Sequence, residues 1–571
     1  MGAVSRTRRA VWRTTPEPDG QGEPGPEGDA AGRHDAAGRR DAAGRLASGL
    51  RPALLRAAAW AAVVIVVFLA AWREARQYGM QSDGASIALQ AWQMLHGNLL
   101  LRGWHVADVS FYTTELPVYM LVEAVHGLRT DVAAISEAIN YTLTVVCGAL
   151  VAKGRVRGRE GLVRALLAAG VMSAPSLAAA NWLLNDADHA ATALWVLFAL
   201  LLIDRAGRRW YVPVLVGTLL AWATVGDELI AVIGAAPLVV VGLARAIQGT
   251  AASSTTGRMA WLRDRWFELS LAAAGAASVL VAMEVMRAIK DAGGWVLTTQ
   301  AHQFVQAATL PSNLTVELQD FLGLFSANFF GQKVTGSIIP VLIHLAGAVV
   351  VAAGIAIAVR RFARGRDGRE RADLVTDLLV VAIACDLGAY LLLYSATPGQ
   401  IREVSPVFAL GAALAGRLLG GPLARRRLEP VLAAGIACYL LTMGPALTGQ
   451  ASPPANQALT VWLESHHLSN GLAGYWQSNS VTLDSGTRIT MRPVKGGVGG
   501  RPVVYVWETD LSQLNPETNS ADFLVLTSGH SAASPAISEA GAIKAFGKPV
   551  TIYRYQDYTI MVWDKNLLRF L

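Results

Sequence analysis

Four short stretches of this 571-residue chain set charged side chains where apolar runs stop. They are "QSDGAS" with Asp83, "NDADHAAT" with Asp186, Asp188 and His189, "GDEL" with Asp227 and Glu228, and "QIREVS" with Arg402 and Glu403. A carboxylate can take the proton of an attacking hydroxyl, or hold a hard cation such as Mg2+ or Mn2+ through its oxygens. Arginine offers a planar fork suited to phosphate. Each stretch also has a plain structural reading. Asp83 can cap a helix, the Asp186/Asp188 pair can end one helix and start the next, Asp227 and Glu228 can close a tight hairpin, and Arg402 can pair with Glu403 to anchor a helix end. Carboxylates beside a bilayer are costly without water or a partner, which leans these positions toward function.

The elements that must hold these residues are apolar. The chain is 53% hydrophobic and 16% charged, a balance expected of an α-helical polytopic membrane protein. Runs of about 20 apolar residues, enough for a hydrocarbon core of about 30 Å, recur about eleven times between Ala53 and Gly449. The expected spans are 53–72, 133–152, 162–182, 189–204, 211–225, 229–245, 267–288, 337–359, 374–394, 404–419 and 429–449. Residues 1–52, with "DAAGR" three times among Gly, Pro and Arg, carry too little apolar surface to fold and read as a disordered basic tail. The net charge of +7 resides mostly in that tail and in short loops, so topology accounts for it and nucleic acid is not an expected partner. Cys147, Cys385 and Cys438 lie in apolar runs, which indicates neither a disulfide framework nor a Cys-based zinc site.

Orientation follows from the positive charges. Arg45, Arg51 and Arg56 place the tail in the cytoplasm, and every second loop is then basic, as at Lys153 to Arg159, Arg205 to Arg209 and Arg425 to Arg427. The polar segments 73–132, 183–189, 226–228, 289–336 and 395–403 come out on the opposite side of a plasma membrane. Beyond residue 450 the pattern changes. A helix is expected at "NQALTVWLESHHL" and another at "SPAISEAGAIKAFG", among β-prone runs at "GLAGYW", "TRITMRPV", "PVVYVW", "DFLVLTS", "PVTIYRY" and "YTIMVW". That alternation predicts a small C-terminal extracytoplasmic α/β domain, 450–571, after a membrane domain of 53–449. Tyr475 and Trp476 in "GYWQSN" could stack on a sugar ring, although aromatics in a β-prone run are more often core.

The stretches "QSDGASIALQAWQMLHGN", "YTTELPVY" and "NDADHA", in this order among the spans, resemble the GT-C superfamily of integral membrane glycosyltransferases, which includes protein O-mannosyltransferases and aminoarabinose transferases. The resemblance implies that Asp83, in the long first external loop 73–132, is the catalytic carboxylate. It also implies that Asp186 and Asp188 form a second acidic motif, and that Tyr112 and Pro117 shape the site. Gly84 stands where many relatives carry a second acidic residue, which bears on metal dependence. The implied donor is a sugar on a polyprenyl phosphate, and the acceptor a glycan, lipid or protein hydroxyl. Arg402, His189 or a bound Mg2+ or Mn2+ would steady the leaving phosphate. The competing class is a non-catalytic transporter of lipid-linked material or an assembly scaffold; transporters place ionisable groups near the bilayer midplane rather than at its surface.

Overall fold

The computed structural model describes residues 54–55, 57–173, 175, 177–185, 187, 189–248, 258–298, 303–364, 373–393, 401–527 and 536–571. Met1–Val63 and Val64–Leu571 form two compact units. The basic tail expected over 1–52 lies outside the described residues.

Six helices are long and apolar enough to cross a membrane: Ala57–Ala75, Val132–Lys153, Leu262–Asp291, Ile338–Arg361, Leu374–Leu393 and Ile401–Arg425. The protein is a multi-pass membrane protein. The expected count of eleven is not met by this measure. The other five expected spans fall on shorter helices, Gly158–Met172, Thr192–Ala206, Tyr211–Gly226, Ala231–Ile247 and Glu429–Thr442. A helix of 15 residues rises only about 22 Å against a hydrocarbon core of about 30 Å. Apolar composition alone hid the break at Ser173, inside the expected span 162–182, whereas the end at Gly207 falls in the expected basic loop.

The Ser405–Arg425 helix sits at the centre of the bundle, buried along nearly its whole length and packed on Gly158–Met172 and Val132–Lys153. Small residues permit this. A side chain at Gly416 would stand 2.6 Å from the Arg164 carbonyl oxygen and 2.7 Å from the Ala152 methyl, closeness that membrane helices reach only through glycine and alanine seams. At one end of the bundle Arg417 donates to Asp204 at 3.1 Å and to Asp373 at 2.8 Å. The opposite end of the Ser405–Arg425 helix carries Arg402 and Glu403.

The C-terminal region holds a six-stranded mixed sheet in the order Pro502–Val504, Thr490–Gly496, Asn470–Ala473, Phe523–Thr527, Tyr558–Val562, Thr551–Tyr555. Side chains alternate between its faces. Leu472, Leu524 and Met561 meet Phe546 of the Glu539–Phe546 helix, while Ala473, Val525 and Ile560 meet Leu459, Leu463 and Val481 of the Gln457–Ser465 and Tyr475–Asp484 helices. "GLAGYW" is therefore half strand. The chain leaves the sheet at Gly474, and Tyr475 and Trp476 open a helix.

A second, three-stranded sheet ties distant segments together. Trp104–Val106 pairs in parallel with Val296–Leu297 and antiparallel with Thr509–Asp510. The first long loop, the segment after Asp291 and the C-terminal region are thereby joined at one end of the bundle.

Candidate active site

Asp83 stands in the first turn of the Ser82–Leu95 helix, where the unpaired amides favour an acid. Ile87, Ala91 and Met94 of that helix are buried, and Leu95 is 37% exposed. The helix packs on Leu116–His126 and on Tyr475–Asp484 rather than lying alone along a bilayer surface. Ser82 Oγ donates to the Tyr475 carbonyl at 2.5 Å, and the Tyr475 hydroxyl bridges the carboxyls of Asp83 and Glu508.

A polar cavity of about 330 Å³ opens beside this contact. Asp83, Asp108, His189, Arg402, Glu403 and Glu508 supply its charged lining, with Trp182, Trp476 and Trp507 as aromatic walls. Burial pushes the Asp83 carboxyl above its ordinary range, against the opposing pull of the Tyr475 hydrogen bond and of Arg402. Asp108 is pushed up by burial and by Glu403, against His189 and Arg402.

The opposite wall is an ion network. His189 Nδ1 lies 2.9 Å from Asp227 Oδ2 and its Nε2 lies 3.3 Å from Glu403 Oε2. Asp227 also accepts from the Thr192 hydroxyl and from the Leu229 amide at 2.9 Å. Burial opposes charge on the imidazole, but Asp227 and then Glu403 outweigh it and hold His189 well above its ordinary value. Arg402 Nε completes the chain at 3.4 Å from Glu403 Oε1. Arg402 keeps 44% of its side chain exposed, whereas Glu403 keeps 11%, His189 10% and Asp227 none. Both cations line the cavity, but Arg402 is the more open of the two, since both His189 ring nitrogens already face carboxylates.

Behind the site, the segment 110–114 is fastened to the end of the Tyr211–Gly226 helix. Phe111 N donates to the Gly226 carbonyl at 2.8 Å, Ser110 Oγ to that of Val225 at 2.6 Å, and Trp222 Nε1 to that of Thr113 at 2.8 Å. A side chain at Gly226 would meet the Thr114 hydroxyl at 2.5 Å. On the far side of this clamp runs an apolar groove of about 680 Å³ between Tyr211–Gly226 and Arg258–Asp291, lined by Ala221, Trp222, Ala274 and Ala277 among others. Phe111 lines the polar cavity and Tyr112, the next residue, lines the groove.

Of the residues singled out from the sequence, Asp83, His189 and Arg402 line one cavity, and Asp227 anchors it from behind. Glu228 is exposed and outside the lining. Tyr112 faces the groove, donates to the Leu99 carbonyl at 2.7 Å, and packs near Trp295. Pro117 is exposed in the first turn of Leu116–His126. Asp186 and Asp188 lie outside the described residues, although Asn185 and Ala187 line the cavity. Among the described residues no group of three or more His, Cys, Asp or Glu is placed to hold a metal ion.

Sequence reasoning missed Asp108 and Glu508; of the two aromatics it weighed between sugar stacking and core, Tyr475 is buried and Trp476 lines the cavity. Asp108 was findable as the next carboxylate after Asp83 along the loop. Glu508 carries no motif.

No protein-family model matches the chain, and no curated protein matches it in sequence. Its structure is similar to that of ArnT from Cupriavidus metallidurans, solved in the apo state and bound to undecaprenyl phosphate. The TM-scores are 0.51 and 0.50 at 12% identity, over 89% and 88% of this chain and 98% of that one. The oligosaccharyltransferase of Archaeoglobus fulgidus matches with TM-scores of 0.42 and 0.45 at 13% and 12% identity, over 81% of this chain and 69% of that one. The chain thus shares its overall fold with ArnT.

Proposed function

We propose that this protein moves a sugar from a polyprenyl-phosphate donor to an acceptor hydroxyl on the extracytoplasmic face of the membrane, inverting the anomeric centre. The observation that carries the reading is the meeting of Asp83 and Arg402 in one polar cavity at the ends of apolar helices. The undecaprenyl phosphate bound to ArnT suggests the lipid part of the donor. A prenyl chain suits the apolar groove beside the Tyr211–Gly226 helix, and its phosphate would meet Arg402 across the 110–114 clamp.

In the transfer, Asp83 takes the acceptor proton as the acceptor oxygen bonds to the anomeric carbon. The bond from that carbon to the phosphate oxygen breaks, and the electron pair leaves with the phosphate. Arg402 is held toward the cavity by Glu403 and stabilises the charge that develops there. His189, clasped by two carboxylates, keeps Glu403 in place rather than touching the phosphate. Tyr112 and Pro117 act at a distance, by closing the groove and starting the helix that backs the loop. Asp186 and Asp188 would bind sugar hydroxyls or hold a Mg2+ or Mn2+ ion through their carboxylate oxygens. The tail faces the cytoplasm, and the cavity and the C-terminal sheet face outward.

The test is transfer from a panel of polyprenyl-phosphate sugars in purified membranes. The Asp83→Asn protein should insert normally and lose transfer. Wild-type rates from that variant would sink the assignment, and movement of labelled lipid across vesicles without cleavage would favour a transporter.

A further inference from the structure

Indoles wall the cavity on two sides, and the two sides come from different parts of the chain. Trp182 belongs to the Leu177–Leu184 helix, which packs against the 189–191 and 401–404 segments that carry His189, Arg402 and Glu403. Trp476 and Trp507 come from the C-terminal region. Each is the chain neighbour of a group in the Asp83 contact. Trp476 follows Tyr475, whose hydroxyl bridges Asp83 and Glu508, and Trp507 precedes Glu508.

Both C-terminal indoles are held in place. Trp476 lies in the first turn of the Tyr475–Asp484 helix, and its ring meets that of Tyr475 at 70° with centroids 5.2 Å apart. The Tyr475 ring is backed in turn by Tyr505 at 5.6 Å. In an extended chain, successive side chains point to opposite faces, yet Trp507 and Glu508 both line the cavity. The chain turns between them: Glu508 has φ +46°, a left-handed conformation that persists in a residue with a side chain only where the surroundings enforce it, often at functional sites. Here the Thr509 hydroxyl lies 2.8 Å from the carbonyl oxygens of Tyr505 and Trp507, and Asn479 donates to the Glu508 carbonyl at 3.1 Å.

A sugar ring has two kinds of surface. Its C–H faces are apolar and lie flat on an aromatic plane, while the hydroxyls at its rim need hydrogen-bond partners. The amides of Gln81, Asn181 and Asn185 and the carboxyls of Asp108 and Glu508 supply such partners among the indoles. A lipid alcohol lacks the hydroxyl rim, and a serine or threonine side chain lacks the flat apolar face. We propose that the acceptor is a glycan, that Trp476 and Trp507 are the platform that selects it, and that Trp182 faces the donor sugar. This rests on Asp83 being the base of an inverting transfer. The acceptor oxygen then attacks from the side opposite the departing phosphate, so the acceptor ring approaches along the wall that holds Asp83 while the donor stays with Arg402.

The experiment is saturation-transfer NMR on the full-length Asp83→Asn protein in nanodiscs, with a panel of neutral disaccharides and, beside it, a threonine-containing peptide. At least one disaccharide should bind. Its Kd should rise about 2- to 10-fold when Trp476→Ala or Trp507→Ala is added, the range for one lost aromatic contact. Trp476→Phe should recover most of the loss, which separates a missing ring from a misfolded protein. Trp182→Ala should leave the disaccharide Kd alone and, with Asp83 intact, raise the KM for the donor. Binding by the peptide but by no disaccharide, or by neither, would overturn the proposal. So would alanine variants of Trp476 and Trp507 that raise the donor KM with the disaccharide Kd unchanged, because the donor sugar would then occupy that platform. The binding signal does not depend on turnover. Normal transfer by Asp83→Asn together with tryptophan-dependent disaccharide binding would therefore remove the base and leave the glycan platform standing.

Discussion

The two walls of the cavity hold their charges in different ways. On the wall made by the membrane-helix ends, two cations, His189 and Arg402, meet two carboxylates, Asp227 and Glu403, within hydrogen-bonding or ion-pair reach. On the wall made by the long loop and the C-terminal region, Asp83, Asp108 and Glu508 gather, with the Tyr475 phenol between Asp83 and Glu508. The first wall is internally neutral, so it can be buried and rigid. The second is rich in acid, and burial pushes the Asp83 and Asp108 carboxyls above their ordinary range. A preorganised cation suits a departing phosphate, and an acid-rich wall poised to take protons suits an attacking hydroxyl.

The largest expected effect would break this division if it failed. Asp83→Asn should lower the transfer rate by about 10² to 10⁴, the usual worth of a general base, with little change in melting temperature. Asp227→Asn should do the reverse, since it strikes the neutral wall. Removing one partner of a buried ion pair costs about 3–5 kcal/mol, and His189 can relieve part of that by losing its proton. The sign with pH follows from the raised folded value of His189. The pair's stabilisation is complete below the unfolded imidazole value and fades as pH rises through the folded one. Melting curves of wild type and Asp227→Asn should therefore converge toward alkaline pH, and a gap that widens there would remove His189 from the network. Next in size, Arg402→Ala should lower kcat/KM for the donor about 10- to 100-fold, the range for a lost charge-assisted hydrogen bond of about 1.5–3 kcal/mol. Arg402→Lys should recover part of it, because a point charge survives without the fork.

The neutral wall was more legible in the sequence than the acid one, for a physical reason. His189, Asp227 and Arg402 each interrupt or end an apolar run, and a charge at the edge of a greasy segment is visible in one dimension. Asp83 was visible in the same way, and its family resemblance sharpened it. Its partners were not. Tyr475 lies 392 residues along the chain from Asp83, and the contact exists because the chain turns from strand to helix at Gly474, which the β-prone run "GLAGYW" concealed. Glu508 owes its place to a pairing between His105 and Thr509, and long-range register of that kind leaves no local pattern. Six of the eleven expected spans fall on helices long enough to cross a bilayer unbroken and five on shorter apolar helices, because hydropathy reports composition and not where a helix ends. Asp186 and Asp188, prominent in the sequence, lie outside the described residues.

The smallest expected effect is the sharpest test of the comparison, because it should have opposite sign on the two walls. Asp108 has a folded value raised by burial, so the folded protein holds its proton more firmly than the unfolded chain does. Its contribution to stability is therefore greatest below the ordinary carboxylate range and is lost as pH rises through the raised value. Asp108→Asn removes that loss. At neutral pH this variant should melt slightly above wild type, while Asp227→Asn melts below it, and in acid the Asp108→Asn advantage should vanish. Transfer should fall less than in Asp83→Asn, since Asp108 lines the cavity without touching Tyr475. If Asp108→Asn instead melts below wild type at neutral pH, then Asp108 is ionised and paired with His189 or Arg402. The acid-rich wall would then shrink to Asp83 and Glu508 alone.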